Sequence, residues 1–146
     1  MLSNFFFLYT THFLTFESST NGGGIRLSEQ NNSLGKMCDR FIYMGYTGNG
    51  YPVYINESTS EVVYIDYDNE NNVAQINSTI VTFAESLLVY VEFIKKIKAN
   101  NGRRAYLEKN ASKELLDWVS KSLLQIDAIS LTQGGFWEEE LSSFSE

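Results

Sequence analysis

Apolar residues are spaced differently in the two halves of the chain. Residues 1–76 are rich in Tyr, Phe, Val, Ile and Gly, whereas residues 77–144 place apolar side chains at steps of three and four. β-Branched and aromatic residues favour strands, and the three- and four-residue steps match one face of a helix. A strand-rich first half followed by a helical second half predicts an α+β fold.

Three runs in the first half predict a β-meander. They cover residues 40–46, 51–56 and 61–67, and short Gly- or Ser-containing segments separate them. Because connections this short join antiparallel neighbours, we expect an antiparallel sheet, packed against the helices of the second half. Upstream, residues 5–16 predict an extended segment or a short helix, residues 21–24 (Asn-Gly-Gly-Gly) a turn, and residues 25–38 a loop.

Three helices are predicted in the second half. The first is capped by Asn77 or Ser78 and ends at residues 100–102 (Asn-Asn-Gly), the second covers residues 112–125, and the last covers residues 136–144. The apolar stripe of the first helix consists of Ile80, Phe83, Ala84, Leu87, Leu88, Val91, Ile94 and Ile97. The inward face of the second consists of Leu115, Leu116, Val119, Leu123 and Ile126, with Trp118 in or beside the core.

Composition and charge indicate a folded, acidic protein. The chain has 146 residues, of which 43% are hydrophobic and 14% aromatic, and its formal net charge is −7. This much apolar material is incompatible with a disordered acidic tail, and the single proline offers no rigid linker, so we predict one domain over residues 1–146. Nucleic-acid binding depends on clustered Lys and Arg, so an acidic protein suits a basic protein partner better.

The N-terminal residues and the single cysteine bear on location. The first sixteen residues are apolar and aromatic, but no Lys or Arg precedes them and no small-residue cleavage site follows, so we expect no signal peptide. No run approaches the roughly 20 apolar residues that cross a bilayer. Cys38 has no partner for a disulfide and is compatible with a reducing compartment. These features predict a cytoplasmic protein that does not enter a membrane.

Two segments resemble ligand sites, but their details favour simpler interpretations. Residues 45–50 are as rich in glycine as a phosphate loop, yet Pro52 and a strand follow where a helix is needed, which predicts a hairpin turn. Residues 66–70 alternate carboxylates as a calcium loop does, yet Asn71 and Asn77 stand where that loop needs Gly and Glu. We expect a solvated turn there, with an acidic edge facing a partner as the second interpretation.

Catalysis has no visible basis in the sequence. His12, the only histidine, lies among aromatic residues without a second His or a Cys nearby, and no serine stands in a Gly-x-Ser-x-Gly turn. We therefore predict no catalytic residue, no metal and no cofactor, and a role in binding another protein. The candidate partner-binding residues are Asp66, Asp68, Glu70, Trp137, Glu138 and Glu139.

Trp137 allows two interpretations. It follows a Gly-Gly break and precedes Glu138, Glu139 and Glu140, and an aromatic side chain rimmed by acids is typical of an interface. The same glutamates also favour the N-terminus of the last helix, where negative charge stabilises the helix dipole. Both interpretations stay open at this point.

Several segments resemble a known family by their order and spacing. They are residues 42–45 (Ile-Tyr-Met-Gly), 48–55 (Gly-Asn-Gly-Tyr-Pro-Val-Tyr-Ile), 61–68 (Glu-Val-Val-Tyr-Ile-Asp-Tyr-Asp), 76–80 (Ile-Asn-Ser-Thr-Ile) with Phe83 and Leu87, 126–127 (Ile-Asp) and 134–137 (Gly-Gly-Phe-Trp). Together they resemble the SUKH superfamily of bacterial immunity proteins, especially its fourth subgroup.

The resemblance implies a fold and a function. It implies an antiparallel sheet packed by helices and a cytoplasmic protein that neutralises a toxin encoded beside it, nucleases being prominent among such toxins. The mechanism it implies is occlusion, with an acidic surface covering a basic active-site cleft. Two alternatives remain: a regulatory scaffold that binds a cellular protein, and a small hydrolase that uses the carboxylates of residues 66–70 with or without a metal.

Overall fold

The computed structural model describes residues 14–16 and 40–144, and within them a sheet precedes the helices. The strands are β1 (Leu14–Phe16), β2 (Phe41–Thr47), β3 (Pro52–Asn56), β4 (Val62–Asp66) and β5 (Asn72–Asn77). The helices are α1 (Ile80–Asn101), α2 (Lys113–Ile126) and α3 (Phe136–Ser142). The predicted α+β class is confirmed. The chain divides within β5 into two compact units, residues 1–75 and 76–146, called here the sheet unit and the helical unit.

The sheet has the strand order β1-β2-β3-β4-β5. Strands β2, β3 and β4 pair antiparallel in sequence order, as the short connections between them predicted. Strand β1 also pairs antiparallel with β2, a pairing that was not predicted. The β2–β3 turn lies at Gly48 and Asn49, which confirms a hairpin at the glycine-rich segment. Residues 14–16 take the extended of the two predicted forms, whereas β5 was not predicted.

The core of the sheet unit is aromatic and β-branched. Phe41, Tyr54, Val63 and Ile65 are buried in one cluster, and the ring of Tyr43 packs edge-on against Tyr54 at 5.7 Å between centroids. Four consecutive residues of β4, Val62–Ile65, are buried, so both faces of this strand are covered. Burying one such side chain contributes about 1.5–3 kcal/mol, which makes this strand a main source of stability.

Helix α1 begins one or two residues later than the two predicted caps required. Its N-cap is Thr79, whose side chain accepts a hydrogen bond from the Thr82 amide while Thr82 Oγ1 accepts one from the Thr79 amide. The prediction of Asn77 or Ser78 as the cap is wrong, because both side chains bond to Asp127 instead. The predicted end at Gly102 is confirmed, and this residue has φ of 96°, which glycine adopts at little cost.

The buried face of α1 is rotated from the predicted stripe. Phe83, Ile94 and Ile97 are buried as expected, but Leu88 is 48% exposed. Ser86, Tyr90 and Phe93 are buried in its place. The predicted spacing of three and four residues is confirmed. The buried face, however, is centred on the large aromatic side chains and not on the predicted stripe.

The other two helices agree closely with their predicted bounds. Helix α2 is capped by Ser112, buries Val119 and Leu123, and keeps Trp118 half-buried with the Lys96 ammonium 5.2 Å from its ring. Helix α3 ends at Ser142, two residues before the predicted end. α1 and α2 pack against each other, and aromatic rings fill the core of the helical unit: Tyr90, Phe93, Tyr106, Phe136, Trp137 and Phe144.

Several predictions fall on residues that the structure does not describe. The turn at residues 21–24, the loop at 25–38, His12 and Cys38 all lie outside the described residues. Within the described residues, no helix is both long and apolar enough to cross a membrane.

Candidate functional site

The three acidic residues predicted at the end of β4 lie on one surface turn. This acidic turn, residues 66–71, joins β4 to β5. The Asp68 amide donates to Asp66 Oδ1 at 3.0 Å, and the Asn72 amide donates to the Asn69 carbonyl at 2.9 Å. Asp66 is half-buried, whereas Asp68 and Glu70 are exposed. The predicted solvated turn at a strand end is confirmed.

The tip of the acidic turn has an unfavourable backbone for glutamate. Glu70 has φ of 52° and Asn71 has φ of 58°, which places both at the centre of a type I′ turn. Asn tolerates this left-handed region, but for Glu it costs on the order of 1 kcal/mol relative to Gly. The backbone alone therefore does not explain a carboxylate at position 70.

Negative charge is concentrated in the sheet unit. Its residues 40–75 carry five carboxylates and one cation, Arg40, which donates a hydrogen bond to Ser58. Residues 76–144 carry nine carboxylates and eight cations, so their charges nearly cancel. Among the described residues, none of Asp66, Asp68 and Glu70 forms an ion pair. Their charge therefore faces solvent without a neutralising partner there.

Tyr51 connects the acidic turn to the sheet. Its ring stacks on that of Tyr64 with 6.0 Å between centroids, and its hydroxyl donates to Asp68 Oδ2 at 2.8 Å. This hydrogen bond, with smaller contributions from partial burial and from the negative charge of Asp66, raises the pKa of Tyr51 to about 12. Tyr51 stays protonated near neutral pH and keeps the Asp68 carboxylate oriented.

Tyr67 is the exposed aromatic side chain of the acidic turn. It lies between Asp66 and Asp68, and 45% of its surface is exposed. Tyrosine is enriched in protein interfaces because it offers a large apolar area, a hydroxyl and few rotatable bonds. The predicted strand over residues 61–67 included this residue, although a position between two aspartates in the sequence is typical of an exposed side chain.

Trp137 lies in the interior of the helical unit and not at its surface. Its side chain is fully buried, its ring packs against Tyr90 and Phe136, and its indole N–H donates to Asn77 Oδ1 at 2.9 Å. The expectation of an aromatic anchor at the surface is therefore corrected for this residue. A buried indole with a satisfied N–H stabilises the fold, and it reaches a partner only if α3 is displaced.

The glutamates that follow Trp137 have three different surroundings. Glu138 is half-buried and accepts a hydrogen bond from the Gly134 amide at 3.2 Å, while Glu139 is exposed. Both stand in the first turn of α3, as the helix-dipole interpretation requires. Glu140 accepts a hydrogen bond from Tyr90 at 2.9 Å and pairs with Lys109 at 3.8 Å, which makes it part of the helical core.

A buried carboxylate that the sequence analysis left without a role organises the helical unit. Asp127 is 6% exposed and follows α2 directly. It accepts five hydrogen bonds, from the Asn77 side chain, the Ser78 amide and hydroxyl, the Thr82 hydroxyl and the Ile129 amide. The sequence signal for this network is the run Asn77-Ser78-Thr79, because it has more hydrogen-bonding side chains than one helix cap needs.

The pKa of Asp127 follows from this network. Burial by itself raises the pKa of a carboxyl group, but the hydrogen bonds from Ser78, Asn77 and Thr82 outweigh burial and lower the pKa of Asp127 below its ordinary value. Asp127 is therefore ionised near neutral pH, and its charge is satisfied inside the protein.

The described residues hold no cluster suited to a metal ion. Nowhere in residues 14–16 and 40–144 do three or more His, Cys, Asp or Glu side chains converge as metal ligands. The alternating carboxylates of the acidic turn therefore form a surface feature without the geometry of a coordination shell.

Comparison with known families places the chain in one of them. The family model of the SUKH-4 immunity proteins matches residues 5–143. The chain therefore belongs to the SUKH-4 immunity protein family. The match also reaches further toward the N-terminus than residue 42, where the segments that carried the resemblance begin. Searches among curated proteins and among solved structures gave no match.

Proposed function

We propose that this immunity protein neutralises a basic toxin encoded by a neighbouring gene, and that the acidic turn meets the toxin first. The observation that carries the proposal is the unpaired charge of Asp66, Asp68 and Glu70 on the surface of a unit with one described cation, Arg40. Opposite charges on two proteins steer their encounter and raise the association rate constant by about 10- to 1,000-fold.

Tyr67 supplies the apolar part of this contact. Exposed charges alone contribute little affinity, because water and salt screen them. A tyrosine between two carboxylates adds a desolvated centre that slows dissociation, while the acids around it set the orientation. Tyr67 thus takes the anchoring role that was one of the two interpretations of Trp137.

The proposed mechanism is occlusion without catalysis. An acidic surface that covers a basic substrate cleft excludes a negatively charged substrate, which suits a toxin that is a nuclease. The protein acts in the cytoplasm, where such a toxin would reach nucleic acid. The family match runs across both units of the chain, which supports treating residues 1–146 as one functional domain.

Charge reversal at the acidic turn tests the proposal. We expect the triple variant D66K/D68K/E70K to bind the neighbouring gene product with an association rate constant at least about 10-fold lower at low salt. The matched control, E85K/E114K/D117K, makes the same change in net charge at exposed carboxylates of the helical unit. Stopped-flow fluorescence measures both rates, and thermal unfolding checks that both variants fold.

Two results would contradict the proposal. Equal slowing by the two triple variants would mean that net charge and not the acidic turn steers association. An unchanged rate in D66K/D68K/E70K would remove the turn from the encounter surface altogether.

A further inference from the structure

The helical unit has a groove that the acidic turn does not involve. Its volume is about 260 Å³, and it lies between α2, the segment before α3, and α3 itself. Three leucines and three oxygen-bearing side chains line it: Leu116, Ser120, Leu131, Glu138, Leu141 and Ser142. The groove therefore has an apolar wall and a negatively charged group in one small space.

The polar atoms of the groove all have capacity to accept hydrogen bonds. Glu138 Oε2 accepts from the Gly134 amide at 3.2 Å, and among the described residues Oε1 has no donor. Ser142 Oγ donates to the Glu139 carbonyl at 2.9 Å, which leaves its lone pairs free to accept. No Lys, Arg or His is among the described residues that line the groove. A cationic group with several N–H donors is the chemistry that complements this lining.

We infer that the groove receives an arginine side chain of the toxin, as a second contact. This inference rests on the proposed function, since it names the toxin residue that the helical unit recognises. The aliphatic stem of arginine packs on apolar surface while its guanidinium donates to acceptors at the rim. Guanidinium carries five N–H donors and is less strongly hydrated than an ammonium, so it suits a half-buried carboxylate beside hydroxyls better than lysine does.

The size of the groove favours a side chain over a small-molecule ligand. Sites for metabolites and drug-sized ligands measure roughly 300–1,000 Å³ and enclose most of the ligand. At about 260 Å³, this groove is smaller than that range. Arginine is also among the residues that contribute most to protein interfaces when they fill a pocket.

Titration with a side-chain analogue, followed by NMR, tests the groove without the toxin. We expect n-butylguanidinium to shift the amide signals of Leu131, Glu138 and Leu141 saturably, with a Kd in roughly the millimolar range. The variant Glu138→Gln keeps an oxygen for the Gly134 amide but loses the charge, and it should raise this Kd about fivefold. Glu139→Gln removes the same charge one residue away, outside the groove lining, and should change the Kd by less than about twofold.

Three outcomes would overturn the inference. Equal shifts of the same amides by n-butanol at the same concentration would make the groove merely apolar. Equally tight binding of n-butylammonium would exclude a preference for arginine. Equal effects of Glu138→Gln and Glu139→Gln would show a response to net charge. No toxin takes part in this titration, so a negative result excludes only the groove as a binding site for arginine. The association kinetics of D66K/D68K/E70K test the proposed function separately.

Discussion

The acidic turn and the Asp127 network use the same chemical group for opposite purposes. Asp127 lies in the interior of the helical unit and accepts five hydrogen bonds. Asp68 lies at the surface of the sheet unit, where the Tyr51 hydroxyl donates to it. A buried carboxylate must be fully satisfied, because an unpaired buried charge costs several kcal/mol. An exposed one is solvated by water and stays available to another molecule.

The aromatic residues of the two regions follow the same division. Trp137 is fully buried and its N–H is bound by Asn77, whereas Tyr67 is 45% exposed between two acids. A motif of aromatic and acidic residues therefore does not identify an interface by itself. Burial and hydrogen-bond satisfaction separate the residues that stabilise the fold from those that can bind a partner.

Removal of the Asp127 carboxylate should produce the largest loss of stability. Asp127→Ala removes the acceptor of the Ser78 amide and one of the acceptors of the Asn77 side chain and of the Thr82 hydroxyl, so we expect the free energy of unfolding to fall by about 3 kcal/mol. Asp68→Ala, the matched change at the surface, should stay within about 0.5 kcal/mol. Urea denaturation followed by circular dichroism measures both. Equal losses in the two variants would contradict the division between buried and exposed carboxylates.

Substitution at Trp137 should have the next largest effect. Trp137→Phe removes the hydrogen bond to Asn77 and leaves space beside Tyr90, so a loss of about 2 kcal/mol is expected in the same assay. Tyr67→Ala should change stability by less than about 0.5 kcal/mol but accelerate dissociation of the toxin. If Trp137→Phe were neutral and Tyr67→Ala destabilising, the roles of the two aromatic residues would be reversed.

The stability contributed by Asp127 should depend on pH. Its pKa in the folded protein is lowered from the ordinary value of 3.8, so the contribution is fully present above that value and is lost as the pH falls through the lowered pKa. The difference in unfolding free energy between the wild type and Asp127→Ala should therefore shrink below about pH 4. Denaturation curves at a series of pH values measure this difference, and a gap that stays constant down to about pH 2.5 would disprove the assignment.

Relieving the unfavourable backbone conformation of Glu70 should have the smallest effect on the free energy of unfolding. Glu70→Gly suits the φ of 52° and should raise the free energy of unfolding by about 0.5–1 kcal/mol, although it removes one acidic group. The same variant should associate more slowly with the toxin than the wild type does. A variant that is both more stable and slower to bind would indicate that Glu70 serves binding at the expense of stability; a less stable one would show that its side chain serves the fold.

Strands β2, β3 and β4, the end of α1 and the bounds of α2 were predictable because local signals agreed with the fold. Alternating aromatic and β-branched residues with short turns specify a meander, and Gly102 specifies the end of α1. Strand β5 was not predictable, because its sequence Asn-Val-Ala-Gln-Ile-Asn has low strand propensity and forms by pairing at the sheet edge.

The acidic turn was predictable, but the roles of the other candidates were not. Alternating carboxylates after a strand suffice to indicate a solvated turn. The burial of Trp137 and the capping of α1 by Thr79 depend on contacts across many residues, through Asn77 and Asp127, that no local pattern contains. Long-range hydrogen bonds of this kind decide which polar residues belong to the core.

The salt dependence of toxin association shows whether the charge of Asp66, Asp68 and Glu70 serves the encounter with a partner or the fold. The association rate constant of the wild type should fall steeply as salt rises from about 10 to 300 mM, because the Debye length shrinks below the range of steering. For D66K/D68K/E70K the dependence should be flat or inverted, at an unchanged free energy of unfolding. Parallel salt curves for the two proteins would contradict the account.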